Sequence, residues 1–120
     1  VGLVLRYQNA SQQYQARLYC TVCTNSNPQY ELQLVDYNSG DTVLTSTSVT
    51  FNKKQPGDVT YVLKASVDGD TLNAKFWEKS DAEPVDWDIT TTDNSYTQGK
   101  VGIAVTTNTT FFDNVAVNPL

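Results

Sequence analysis

The stretch "TYVLKASVDGDTLNAKFW", Thr60 to Trp77, constrains the fold more than any other. Tyr61, Leu63, Ala65 and Val67 alternate with polar or outward residues, Asp68-Gly69 is a hairpin-turn dipeptide, and Leu72, Ala74 and Phe76 return on one face. A period of two on both sides of a tight turn is the pattern of strands, whose successive side chains point to opposite faces. The unit is a β-hairpin with one apolar face.

The rest of the chain repeats that logic. "VGLVLRY" sets Leu3, Leu5 and Tyr7 against Val4 and Arg6, and "YQARLY" sets Tyr14, Ala16 and Leu18 against Gln15, Arg17 and Tyr19, with "QNASQQ" as the connection. "YELQLVDY" turns through "NSGD" into "TVLTSTSVTF", a second hairpin. "NKKQPGD" reads as a loop, and "EKSDAEPVDWDITTTDNSYTQ" as a long excursion broken by Pro84, with "WDITTT" a short strand at most. "KVGIAV" and "TFFDNVAV" are expected as the last two strands. No stretch keeps a 3.6-residue period, so the expectation is eight or nine antiparallel strands in an all-β sandwich or barrel. In "FFDNVAV" the alternation puts Asp113 on the same face as Val115 and Val117. A carboxylate there needs a partner, because burying an unpaired charge costs several kcal/mol.

Composition narrows what such a fold does. The 120 residues are one domain's worth of material, and residues 1–120 are read as a single domain. The formal net charge of −5 argues against nucleic acid and anionic membrane, which need a basic footprint. No apolar run approaches the roughly 18 residues of a membrane helix. Thr, Ser and Asn supply 34 residues, a mix that favours strands and turns. Histidine is absent, which removes Ser-His-Asp triads, Cys-His dyads and histidine-based zinc sites. The chain opens directly on a strand without methionine, and is taken as a processed product or part of a longer chain.

Cys20 and Cys23 form a lone C-x-x-C at the end of a strand, entering an Asn/Ser/Pro turn. No second pair exists for a four-cysteine zinc site, and no helix follows for a thioredoxin-type motif. A short local disulfide and two free thiols both remain open. Two glycosylation-type triplets, Asn9-Ala10-Ser11 and Asn108-Thr109-Thr110, fall in expected loops.

Three segments taken together, "GLVLRYQNASQQYQARL", "YVLKASVDGDTLNAKFWEKSDAEPVDW" and "GKVGIAVTTNTTFFDNVAV", resemble the concanavalin A-like, or laminin G-like, jelly-roll superfamily. The likeness is closest to its bacterial and phage surface modules, and covers nearly the whole chain. The resemblance implies an antiparallel jelly-roll sandwich in an extracellular, cell-surface or virion-surface protein. It also implies that Asp113 of the closing F-D-N strand helps bind a structural calcium ion, as the family's aspartate does, through the oxygen ligands calcium prefers. The competing reading has Asp113 accept backbone N–H groups at a β-bulge. The chain departs from the family at its start, where one or more strands with an acidic D-x-F-like segment are lacking, and in its C-x-x-C.

Function follows from which chemistry the residues can supply. A retaining glycoside hydrolase of this fold would carry an E-x-D-x-x-E strand with carboxylates about 5 Å apart. Glu31 and Asp36 lack that rhythm, and Glu78, Asp81 and Glu83 sit in a loop, so no enzyme is expected. Sugar binding instead needs exposed rings for C–H stacking and polar groups for hydroxyls. The candidate ligand residues are Arg6, Tyr14, Arg17, Tyr19 and Trp77, the two arginines pointing away from the core. Trp77 and Trp87 alternatively anchor the long loop. The expected function is a non-catalytic glycan-binding or adhesion module whose partner is a glycan or cell-surface polysaccharide. A structural or assembly module joined to other domains or subunits is the second reading, and part of a carbohydrate-active enzyme the third.

Overall fold

The computed structural model describes residues 1–24, 26–51, 59–105, 112 and 114–119. Among these the chain is all-β, with no helix and two antiparallel sheets. The strands are β1 (Gly2–Asn9), β2 (Gln12–Val22), β3 (Gln29–Asn38), β4 (Asp41–Val49), β5 (Tyr61–Asp68), β6 (Thr71–Glu78), β7 (Ile89–Thr92) and β8 (Lys100–Ala104). A five-stranded sheet runs β4-β3-β2-β1-β8, and a three-stranded sheet runs β5-β6-β7.

Local chemistry fixes the tight connections. Ala10 and Ser11 link β1 to β2, where Asn9 Oδ1 accepts from the Ser11 N–H at 2.8 Å, a side chain closing its own turn. The β5–β6 hairpin forms as expected, but its turn sits one residue later than the Asp68-Gly69 reading. Asp68 pairs with Thr71, leaving Gly69 and Asp70 at the tip, and Gly69 takes the positive φ of +56° that the bend needs.

The two sheets meet over one apolar core. Leu5, Tyr14, Ala16, Leu32 and Leu34 of the larger sheet pack with Leu72, Ala74 and Ile89 of the smaller. Strand alternation dictates this set, since each member occupies the apolar parity of its strand. An aromatic group of Tyr30, Phe51, Tyr61 and Phe76 extends one end, with ring centroids 4.7 to 5.5 Å apart. At the other end Tyr14 and Tyr96 meet edge to face at 4.9 Å.

Two expectations need correction. The alternation assumed for β1 breaks at Arg6, which has φ +48° at a register shift against both β2 and β8. This is a β-bulge, and a bulge re-aims the side chains after it. Opposite lies Gly99, where an added Cβ would come within 2.4 Å of the Arg6 backbone, so only glycine fits. The closing strand is the second: its described residues, Phe112 and 114–119, are not in a strand. A strand persists only where a neighbour takes its backbone hydrogen bonds, which alternation within a segment does not supply. Phe111 and Asp113 lie outside the described residues.

Candidate functional site

The side of the five-stranded sheet that faces away from the core carries a polar network. Arg17 and Tyr19 share this face because they are two residues apart on β2, and register places Gln33 opposite Arg17 and Glu31 opposite Tyr19. Arg17 Nε and Nη2 donate to Gln33 Oε1 at 3.1 and 3.0 Å, and Nη2 meets Asp41 Oδ2 at 2.8 Å. Gln33 Nε2 donates to Glu31 Oε2 at 2.9 Å. The Arg17 guanidinium lies 4.8 Å from the Tyr19 ring centroid, a cation–π contact. Gly2 pairs with Arg17 on the other side, where a Cβ would sit 2.7 Å from Arg17 Cβ. Close approach of β1 thus fixes the arginine from the remaining flank.

This face is built rather than merely solvated. Val4, Gln13, Gln33 and Val35 are buried, although Val4 and Val35 point away from the core. Other parts of the chain therefore cover the apolar side chains of this face. Tyr19 stands out of this layer, 46% exposed. The result is a half-open ring, a guanidinium immobilised beside it, and the Glu31, Gln33 and Asp41 oxygens within one patch. Such a set stacks against a C–H surface and exchanges hydrogen bonds with hydroxyl groups.

The other sequence-predicted residues lie elsewhere. Tyr14 is fully buried and belongs to the core, so its ring is closed to any ligand. Its hydroxyl donates to Asp93 Oδ1 at 2.5 Å and accepts from the Tyr96 N–H at 3.1 Å. Burial, with the bond to Asp93, pushes the Tyr14 phenol up to about 12. Burial raises the Asp93 carboxyl, but the hydrogen bonds from Tyr14 and Ser95 outweigh it, and Asp93 ends below its ordinary value.

Arg6 does not join Arg17. At its bulge it donates from Nη1 to the Tyr96 carbonyl at 2.7 Å, and Gln8 Nε2 reaches the carbonyls of Arg6 and Gln98. Arg6 and Tyr14 together hold the segment between β7 and β8 over the end of the core. The bulge aims Arg6, and the core parity aims Tyr14, at partners within the protein itself.

Trp77 serves a third cluster, on the outer face of the smaller sheet. Lys75, buried, donates from Nζ to the Pro84 carbonyl at 2.6 Å and meets Glu83 at 2.8 Å, 5.7 Å from the Trp77 centroid and 4.8 Å from that of Trp87. Glu83 also pairs with Lys64 at 2.7 Å. Hydrogen bonds from Lys64 and Lys75 pull the Glu83 carboxyl down to about 2. Trp77 and Trp87 thus tack the β6–β7 connection onto the sheet around a lysine. Trp77 also borders a cleft of about 390 Å³ with Tyr61, Glu78 and Asp88, opposite Thr47 and Ser48 of β4.

Cys20 and Cys23 are joined in a disulfide next to Tyr19. Asp113, linked to calcium by the family resemblance, lies outside the described residues. Among the described residues no three His, Cys, Asp or Glu side chains come together as metal ligands. Sequence parity placed Arg17 and Tyr19 on one outward face; it missed Gln33 and Asp41, whose roles depend on strand register. No family model, curated protein or solved structure matches this chain.

Proposed function

We propose that this chain is a non-catalytic glycan-binding or adhesion module of an extracellular or virion-surface protein, and that the Arg17–Tyr19 face contacts the sugar. The observation that carries the reading is the half-exposed Tyr19 ring, held by Arg17 within the network of Gln33, Glu31 and Asp41. A pyranose offers a C–H face to the ring and hydroxyls to the surrounding carboxylates, amide and guanidinium. Fixing these groups before the ligand arrives lowers the ordering cost of binding. The patch holds two carboxylates and one guanidinium, which favours neutral over anionic polysaccharides.

The motif resemblance supports a concanavalin A-like jelly-roll sandwich as the scaffold, in agreement with two antiparallel sheets over one core. The Cys20–Cys23 disulfide fits an oxidising environment outside the cytosol. A structural or assembly module is the second reading, favoured by the exposed apolar edge at β8. A glycan array with the intact chain and Tyr19→Ala tests the first. Retention on neutral glycans, weakened roughly tenfold or more by Tyr19→Ala at unchanged melting temperature, is the expected result. Absence of binding to every glycan, or equal binding by Tyr19→Ala, sinks the reading.

A further inference from the structure

The outward face that carries Tyr19 does not stop at β3. Strand register carries it one strand further, since Tyr19 stands opposite Glu31 and Glu31 opposite Ser48 of β4. Residues opposite one another in a ladder point to the same side, so these three form a line across β2, β3 and β4. The row beside it runs Arg17, Gln33 and Ser46 in the same way. At about 4.8 Å between neighbouring strands, the line covers roughly 10 Å from Tyr19 to Ser48. Ser46 and Ser48 are exposed, so the polar face reaches the outer edge of the sheet as hydroxyl groups.

Ser48 is also part of the wall of the Trp77 cleft. The cleft opens where β7 stops short of its neighbour: β6 runs from Thr71 to Glu78, but β7 pairs with it only from Thr71 to Ala74. Past that point the Asp88 carboxylate accepts the Phe76 N–H at 2.8 Å in place of a strand, and Phe76, Trp77 and Glu78 border the cleft together with β4. Its 390 Å³ lies within the range of about 300–1,000 Å³ of small-molecule sites. The lining repeats the chemistry of the Tyr19 face, with a partly buried indole at Trp77, hydroxyls at Ser48 and Thr50, and carboxylates at Asp81 and Asp88. A ring for C–H stacking and oxygens for hydroxyl groups thus recur beyond the far end of the Tyr19 line. One sugar ring cannot touch both places, because Glu31 and Ser48 lie between them.

We infer that the ligand is an extended neutral oligosaccharide lying across the strands, with one unit stacked on Tyr19, the chain passing Glu31 and Ser48, and a further unit seated at Trp77 in the cleft. This rests on the sugar-binding reading of the Tyr19 face and adds a second subsite to it. Contacts joined by one ligand act as if intramolecular, so affinity rises with chain length until both rings are engaged and then levels off. Calorimetric titration of the full chain with a size ladder, from the monosaccharide upward, of the neutral glycan retained on the array tests it, alongside Trp77→Ala, Asp81→Ala and Tyr19→Ala. The expected result is an affinity that climbs roughly tenfold or more along the ladder, with the climb lost in Trp77→Ala and reduced in Asp81→Ala. Equal affinity for the shortest and longest oligomers, or a climb that survives in folded Trp77→Ala, overturns the second subsite and leaves the Tyr19 reading standing. A climb that survives Tyr19→Ala overturns both, as does retention of no glycan. Asp81 is exposed and outside the strands, so Asp81→Ala decides where Trp77→Ala fails to fold.

Discussion

β5 and β6 form one hairpin, carry apolar residues on the same face, and end up in different environments. Leu72 and Ala74 of β6 are sealed by Leu32 and Leu34 across the sheets, while Leu63, Ala65 and Val67 of β5 stay partly open, as do Val101 and Ile103 of β8 opposite. Identical patterning thus gives a closed half and an open half. The difference comes from what lies across the gap, because apolar burial needs atoms on both sides. The proposed sugar-contacting face belongs to the closed half, where β2 and β3 are flanked by strands on both edges. The exposed apolar edge at β8 belongs to the open one.

The largest effects should fall in the closed half. Leu72→Ala should cost about 2–5 kcal/mol by urea unfolding, since it deletes fully buried volume. Leu63→Ala, on a part-exposed strand, should cost clearly less; equal losses would erase the contrast between the halves. Tyr14→Phe should cost about 1–3 kcal/mol, because Asp93 and the Tyr96 N–H each lose a partner. Its pH signature follows from the raised phenol. The folded value of about 12 exceeds the ordinary 10, so this contribution is complete below pH 10 and lost as pH rises toward 12. Asp93 acts at the other extreme. With its folded value depressed, its contribution is present above its ordinary 3.8 and lost as pH falls through the lower folded value. Alkaline unfolding curves that coincide for wild type and Tyr14→Phe would contradict this assignment.

Smaller effects separate anchoring from binding. Lys75→Ala should cost roughly 1–3 kcal/mol and red-shift tryptophan emission, as Trp77 and Trp87 lose the cation between them. Replacing both Cys20 and Cys23 by serine should cost no more than about 2 kcal/mol, since the closed ring is short. Tyr19→Ala should change stability by less than about 0.5 kcal/mol, as expected for an exposed side chain.

Much of this was legible in the sequence because strand alternation is local. The β5–β6 hairpin, the core parity of Leu32, Leu34, Leu72 and Ala74, and the outward face of Arg17 and Tyr19 all follow from a period of two. The misreadings arose where the decisive partner is distant. Arg6 sits in a bulge that Gly99 accommodates from another strand, and nothing beside Arg6 marks it. Tyr14 has core parity, but its hydroxyl finds Asp93 79 residues away, which turns an expected ligand ring into a structural post. Lys75, on the outward parity of β6, is buried because the β6–β7 connection folds over it, which alternation alone does not show. Gln33 and Asp41 join the polar face through strand register, which alternation alone does not set.

In the proposed arrangement ligand contact belongs to the closed half and not to the open half. Titrating a neutral oligosaccharide that the array identifies into isotope-labelled chain, and following backbone amide resonances, tests it most directly. Shifts centred on Arg17, Tyr19, Glu31, Gln33 and Asp41, with β5 and β8 unmoved, are the predicted result. Shifts centred on β5 and β8, or on the Trp77 cleft with Tyr19 unmoved, would contradict it.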